Sequence, residues 1–108
     1  MKKGCEIMQF LVMGYDGDDE KALERRLAVR DDHMKLVEKM KSEGRHLYAA
    51  ALLDENEKMV GSAMIVDFPS REDLDGWLKI EPYILGNVWK KVEVTPCKVA
   101  PLFMNLHK

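Results

Sequence analysis

The chain has little of what marks several large protein classes. It holds two cysteines, Cys5 and Cys97, in 108 residues. They are too few and too far apart for a metal knuckle or a CxxC redox pair. In a reducing compartment the expected state is two free thiols. If the first and last strands are antiparallel neighbours, the two cysteines approach one another and a disulfide is the alternative. Long apolar runs are also missing. The longest, such as Tyr48 to Leu53, fall far short of the roughly 20 residues of a spanning helix. Ile7 to Met13 is interrupted by Gln9 and carries no cleavage signal, so no secretory leader is expected. A cytoplasmic location and no membrane role follow as expectations. Basic excess is absent too: 17 Lys and Arg stand against 19 Asp and Glu, a net charge of -2. With no basic stripe, nucleic acid is not an expected partner. The three histidines, His33, His46 and His107, show no ligand spacing, so a metal site is not expected.

What is present is a folded composition, 46% apolar and 33% charged, at the length of one ordinary domain. We read residues 1–108 as a single domain. Glu6 to Gly14 reads as a first strand, followed by a turn at Tyr15-Asp16-Gly17-Asp18. The acids Asp16, Asp18, Asp19 and Glu20 do not form a calcium loop, because Lys21 stands where the sixth-position glycine belongs. Lys21 to Glu43 has helical composition in two segments. The first, Ala22 to Val29, directs Ala22, Leu23, Leu27 and Ala28 inward. The second starts near Asp31 and stops at Gly44, with Arg30 at the junction. His33, Leu36, Val37 and Met40 share its inward stripe. An imidazole on such a stripe is either a core histidine bonded to a backbone carbonyl or a general acid/base in a cleft between helix and sheet. Arg30, three residues earlier, either reaches the same site or is a surface arginine paired with Glu24 or Asp31.

His46 to Leu53 is the second strand, whose Ala49, Ala50 and Ala51 leave room for a helix or a ligand. A polar turn leads to a third strand, Met59 to Phe68. Ser70 to Asp73 resembles a capping box before a short helix carrying Leu74, Trp77 and Leu78. Pro82 closes that helix by keeping Glu81 extended, and Val88 to Thr95 is the last strand. Trp77 and Trp89 suit the core or an interface better than a substrate cage. The order β-α-β-β-α-β implies an α+β, ferredoxin-like, four-stranded antiparallel sheet with both helices on one face. The other face then requires a cover, best met by a second copy, so a homodimer or higher oligomer is expected. Residues 100–108 form an apolar extension that packs on the body or on a partner.

Several short pieces together resemble the YCII-related (YciI-like) family. They are Arg30-Asp31-Asp32-His33, Glu43-Gly44-Arg45, Gly61-Ser62, Phe68-Pro69-Ser70, Trp77, Glu81-Pro82-Tyr83, Val88 and Val94-Thr95-Pro96. The resemblance implies a dimeric α+β barrel with a histidine and an aspartate as the active-site pair; some relatives are dehydrochlorinases, and muconolactone isomerases share the broader fold. Carried over, it makes His33 and Glu81 the catalytic candidates and Arg30, Ser62 and Tyr83 the substrate-binding ones. Glu81 replaces the usual aspartate, which moves the carboxylate by about one bond length, and Asn87 replaces a usual glycine. The implied function is cofactor-independent proton transfer, of lyase or isomerase type, on a small anionic or aromatic metabolite. The alternative is a non-catalytic ligand-binding or regulatory dimer with the same cleft.

Overall fold

A computed structural model describes residues 8–104. Four strands, β1 (Met8–Asp16), β2 (His46–Leu53), β3 (Met59–Phe68) and β4 (Trp89–Cys97), form one sheet in the order β2-β3-β1-β4. All neighbouring pairs are antiparallel. Between them run α1 (Ala22–Ser42), α2 (Arg71–Leu78), α3 (Pro82–Leu85) and, after β4, α4 (Pro101–Met104). This is the ferredoxin-like arrangement that the element order implies. None of the described helices is long and apolar enough to cross a membrane.

Alternation along the strands separates two sheet faces. Phe10 and Val12 of β1, Met64, Val66 and Phe68 of β3, and Val92 and Val94 of β4 pack with Met40, Leu74, Trp77, Tyr83, Val88 and Trp89 in the core. The opposite face carries Leu11, Met13, Ala63 and Ile65, all only partly buried. The segment after β4 crosses one end of that face: the Val99 amide donates to Gln9 Oε1 at 2.6 Å, and Tyr48 donates to the Phe103 carbonyl at 3.5 Å.

The helical region 22–42 is one helix, not two segments meeting at Arg30. Val29 to Asp32 contains neither Gly nor Pro, so nothing interrupts the hydrogen-bond ladder, and Asp31 lies mid-helix on the exposed side instead of capping it. The buried stripe continues from Met40 back through Leu36, His33, Val29 and Arg26 to Ala22. Leu27 and Ala28 are consequently exposed, and the inward residue of that turn is Arg26. Gly44 ends the helix as expected, with φ of 76°. The strand β1 runs on through Tyr15 and Asp16, which therefore do not form a turn. In α2, Ser70 Oγ accepts from the Asp73 amide at 3.1 Å, but the Asp73 carboxylate takes the Ser70 hydroxyl instead of reaching back to the backbone. Pro82 does more than end a helix. It occupies the first turn of α3, and the preceding Glu81 (φ −67°, ψ 121°) is the N-cap. Cys97 lies opposite Gln9 at the β1–β4 end. Cys5 and His107 lie outside the described residues, as does any approach between the two cysteines.

Gly14 is required by a close approach. A Cβ there would lie 2.5 Å from the Trp89 indole. Gly14→Ala is expected to lose about 1–3 kcal/mol of unfolding free energy, the usual range for overpacking. Denaturant unfolding of the variant measures this, and an unchanged midpoint would show that the indole moves aside freely.

Candidate functional site

Glu81 is fully buried, and three donors converge on it. Its Oε1 lies 2.5 Å from His33 Nδ1 and accepts the Tyr83 amide at 3.1 Å. Its Oε2 accepts the Trp77 indole N–H at 3.1 Å. The geometry arises locally: the N-cap position directs the carboxylate at the start of α3, and Trp77 lies one helical turn upstream. The added methylene relative to aspartate does not prevent contact with His33. Because Glu81 accepts at Nδ1, the neutral imidazole carries its proton there, which leaves Nε2 as the acceptor.

The His33 ring stacks on Tyr83 with centroids 3.8 Å apart at 12°, and Trp89 meets it edge-on at 6.1 Å. Tyr83 thus both packs in the core and lines the cleft. Burial raises its phenol above the ordinary value, and nearby Arg26 and Arg30 oppose this. His33 is therefore a cleft histidine bonded to a carboxylate, not a core histidine bonded to a carbonyl.

Beside this pair lies a buried group that the sequence reading did not single out. Arg26 Nη1 sits 3.0 Å from both oxygens of Asp16, and Nη2 donates to Ser62 Oγ at 2.9 Å. The Asp16 and Arg26 side chains are only 2% and 4% exposed. The Arg26 guanidinium also lies 4.7 Å from the centre of the Tyr83 ring. Ser62 Oγ receives a second donor, Trp89 Nε1, at 3.3 Å. Burial raises the Asp16 carboxyl above its usual range despite the attraction of Arg26.

A cleft of about 180 Å³ brings together Arg26, Arg30, His33, Ser62 and Tyr83, with Met34, Met64 and the three alanines of β2 completing its walls. The alanines are exposed and lie on an edge strand. Arg30 is exposed at the rim, because the helix does not start between it and His33. All five sequence-derived candidates are consequently gathered at one place: four line the cleft and Glu81 supports His33 from behind. Asp19 is held by Arg25 at 2.7 Å, which keeps its carboxyl well below the usual range.

His46 stands behind the site, at the start of β2, with its ring edge-on to Trp77 at 6.1 Å. Burial pushes its imidazole down to about 4, His33 adds to this and Glu81 opposes it. Its Nε2 is buried and has no hydrogen-bond partner among the described residues. The unfolded chain binds this proton near pH 6.5 and the folded one does not until about pH 4, so stability falls as pH drops through that window. The contribution is about 2 kcal/mol lost between pH 7 and 5. Denaturant unfolding across that range should show this loss in the wild type and a flatter dependence in His46→Leu; parallel profiles would exclude His46 as the source.

A family model described as the YCII-related domain matches residues 8–98. The chain is 33% identical over 90 residues to protein YciI of Escherichia coli, spanning 78% of this chain and 92% of that protein. It is also 33% identical over 87 residues to an uncharacterized protein of Haemophilus influenzae, at 75% and 89% coverage. Among solved structures, 5-chloro-2-hydroxyhydroquinone dehydrochlorinase from Burkholderia phenoliruptrix, in complex with 2,5-dihydroxybenzoquinone, superposes with a TM-score of 0.74. The match covers 86% of this chain and 96% of that one at 18% identity, a likeness of fold. A dimeric ferredoxin-like protein from an uncultured marine organism matches with a TM-score of 0.53 and 20% identity, covering 88% and 97%. With the match spanning β1 to the end of β4, the chain belongs to the YCII-related family.

Proposed function

We propose that this protein is a small, cofactor-independent enzyme that moves a proton on a small anionic or aromatic metabolite. The observation that carries the reading is the His33–Glu81 pair, 2.5 Å apart, with His33 in the wall of the cleft and Glu81 behind it. His33 is the general acid/base through Nε2. Glu81 fixes the ring and its tautomer and offsets the charge that develops when the ring takes a proton. Arg30 at the rim draws in an anion, and Tyr83 and Ser62 bound the bound molecule. Such a set suits isomerisation or elimination, and the dehydrochlorinase of similar fold lends support to the second. The active unit is proposed to be a homodimer joined through the partly buried Leu11, Met13, Ala63 and Ile65 face, in keeping with the dimeric ferredoxin-like protein that shares the fold.

A second reading has its own observation. Glu81 also caps α3 and holds the Trp77 indole, so the pair has a structural task that a binding dimer would equally require. The two readings separate in one experiment. Deuterium uptake from D2O into small cyclic ketones, and chloride release from 5-chloro-2-hydroxyhydroquinone, are compared between wild type and His33→Gln. The catalytic reading expects at least one of these reactions to slow by about 10²- to 10⁴-fold in the variant. Equal rates in the two proteins, or none in either, would leave the binding dimer.

A further inference from the structure

Ser62 lies within β3 on the helix-covered face and is only 4% exposed, yet its side chain lines the cleft beside His33. Two N–H groups point at its oxygen, Arg26 Nη2 at 2.9 Å and Trp89 Nε1 at 3.3 Å. A hydroxyl oxygen has two lone pairs and one hydrogen. With both lone pairs engaged, Ser62 has no acceptor role left to play. Its hydrogen, by contrast, meets no acceptor among the described residues. A buried O–H without an acceptor is costly, and one polarised by a cation is a stronger donor than a free hydroxyl.

We infer that Ser62 is an obligate hydrogen-bond donor to the bound molecule, so that the ligand must present an acceptor oxygen to it: a carbonyl, or the enolate derived from it. Arg26, Asp16 and Trp89 are the positioning residues that impose this polarity. Asp16 fixes the guanidinium, the guanidinium and the indole fix the serine oxygen, and the remaining O–H is turned to the cleft. Size narrows the class further. A cavity of about 150 Å³ accommodates a benzene ring, and the cleft is about 180 Å³. The ligand class is therefore a carbonyl compound of about one six-membered ring.

The inference rests on the reading of this cleft as a ligand site and gives its chemistry a direction. His33 Nε2 removes a proton from the carbon next to the carbonyl. The C–H electron pair becomes a C=C bond, and the carbonyl π pair moves onto oxygen, where the Ser62 O–H meets the developing charge. Return of the proton to a different carbon completes an isomerisation. Departure of a leaving group from the neighbouring carbon completes an elimination. No oxidant is consumed in either case.

Two measurements test the assignment. Neutron diffraction from the deuterated protein locates the Ser62 deuteron directly; it is expected to point into the cleft, and a deuteron directed at a protein acceptor would overturn the inference without any ligand. The second uses cyclohexane-1,3-dione as the probe, titrated calorimetrically against wild type, Ser62→Ala and Ser62→Thr. The alanine variant is expected to bind at least about tenfold more weakly, and the threonine variant, which keeps the hydroxyl, within about threefold of wild type. No binding by wild type, or equal affinity in Ser62→Ala, overturns the carbonyl class. Thermal unfolding of each variant confirms that the comparison is between folded proteins. Ser62-dependent binding without His33-dependent proton exchange would retain the donor and remove the catalytic reading, so the two failures are distinguishable.

Discussion

Arg26→Met is expected to cost about 3–5 kcal/mol of unfolding free energy, the range for removing one partner of a buried ion pair. Asp16 keeps 2% of its side-chain exposure and has Arg26 on both carboxylate oxygens. Without the guanidinium, that charge stays buried with only the weaker attraction of Arg25 to offset it. The Asp16 carboxyl already sits above the usual range with Arg26 in place, and it rises further when Arg26 is lost. The variant therefore takes up a proton at Asp16 in the folded state at a pH where the unfolded chain does not. Its deficit should narrow as the pH is lowered. Denaturant unfolding at pH 7 and at pH 5 measures both effects, and a deficit below about 1 kcal/mol at neutral pH would refute the account. The double variant Arg26→Met with Asp16→Leu separates stability from function. Replacing both charges by apolar groups of similar size is often neutral or stabilising, so the fold should recover much of the loss. Ser62 would still lack its arginine, and ligand affinity should not recover with the fold.

The sequence was most legible where one physical signal acted alone. Short apolar runs bounded by polar turn residues set the bounds of β2 and β3, and the Ser70 cap set the start of α2. The stripe His33, Leu36, Met40 has a 3.6-residue period that, continued toward the N-terminus, passes through Val29, Arg26 and Ala22. Reading Leu27 as inward followed hydrophobicity against that period, and period decided the outcome: Leu27 is 54% exposed and Arg26 4%. An arginine can occupy the stripe because Asp16 comes from the far end of β1. That partner is ten residues away in sequence and had been assigned to a turn. The site shows the same division. His33 and Glu81, 48 residues apart, could be paired only through family resemblance. The donor geometry at Ser62 depends on Arg26 and Trp89, which no local pattern connects to it.

Glu81→Gln should damage rate and stability together, through two separable routes. The amide has one acceptor oxygen for the three donors that converge on the carboxylate. If that oxygen takes the Oε1 position, it still accepts from the Tyr83 amide and His33 Nδ1, but the NH2 group then confronts the Trp77 indole N–H. Two opposed donors in a fully buried place cost about 1–3 kcal/mol. If the amide turns over, Trp77 keeps its acceptor, but NH2 faces His33 Nδ1. The imidazole must then carry its proton on Nε2, where it can no longer act as a base. In either orientation the positive charge formed on His33 during proton transfer has lost its counterion, so a rate loss of roughly 10²- to 10⁴-fold is expected. Nitrogen-15 spectra of the imidazole report which tautomer results, denaturant unfolding gives the stability, and deuterium exchange gives the rate. A stability loss with an unchanged rate would reduce Glu81 to a cap for α3 and an acceptor for Trp77. Glu81→Asp is the discriminating companion. An aspartate still caps the helix, but its shorter side chain must choose between reaching His33 and reaching Trp77, which lie on different oxygens of the glutamate. Near-wild-type stability with a slowed reaction in this variant would show that the extra methylene serves the reach to His33, and that the departure from the family's aspartate is part of how this site is built.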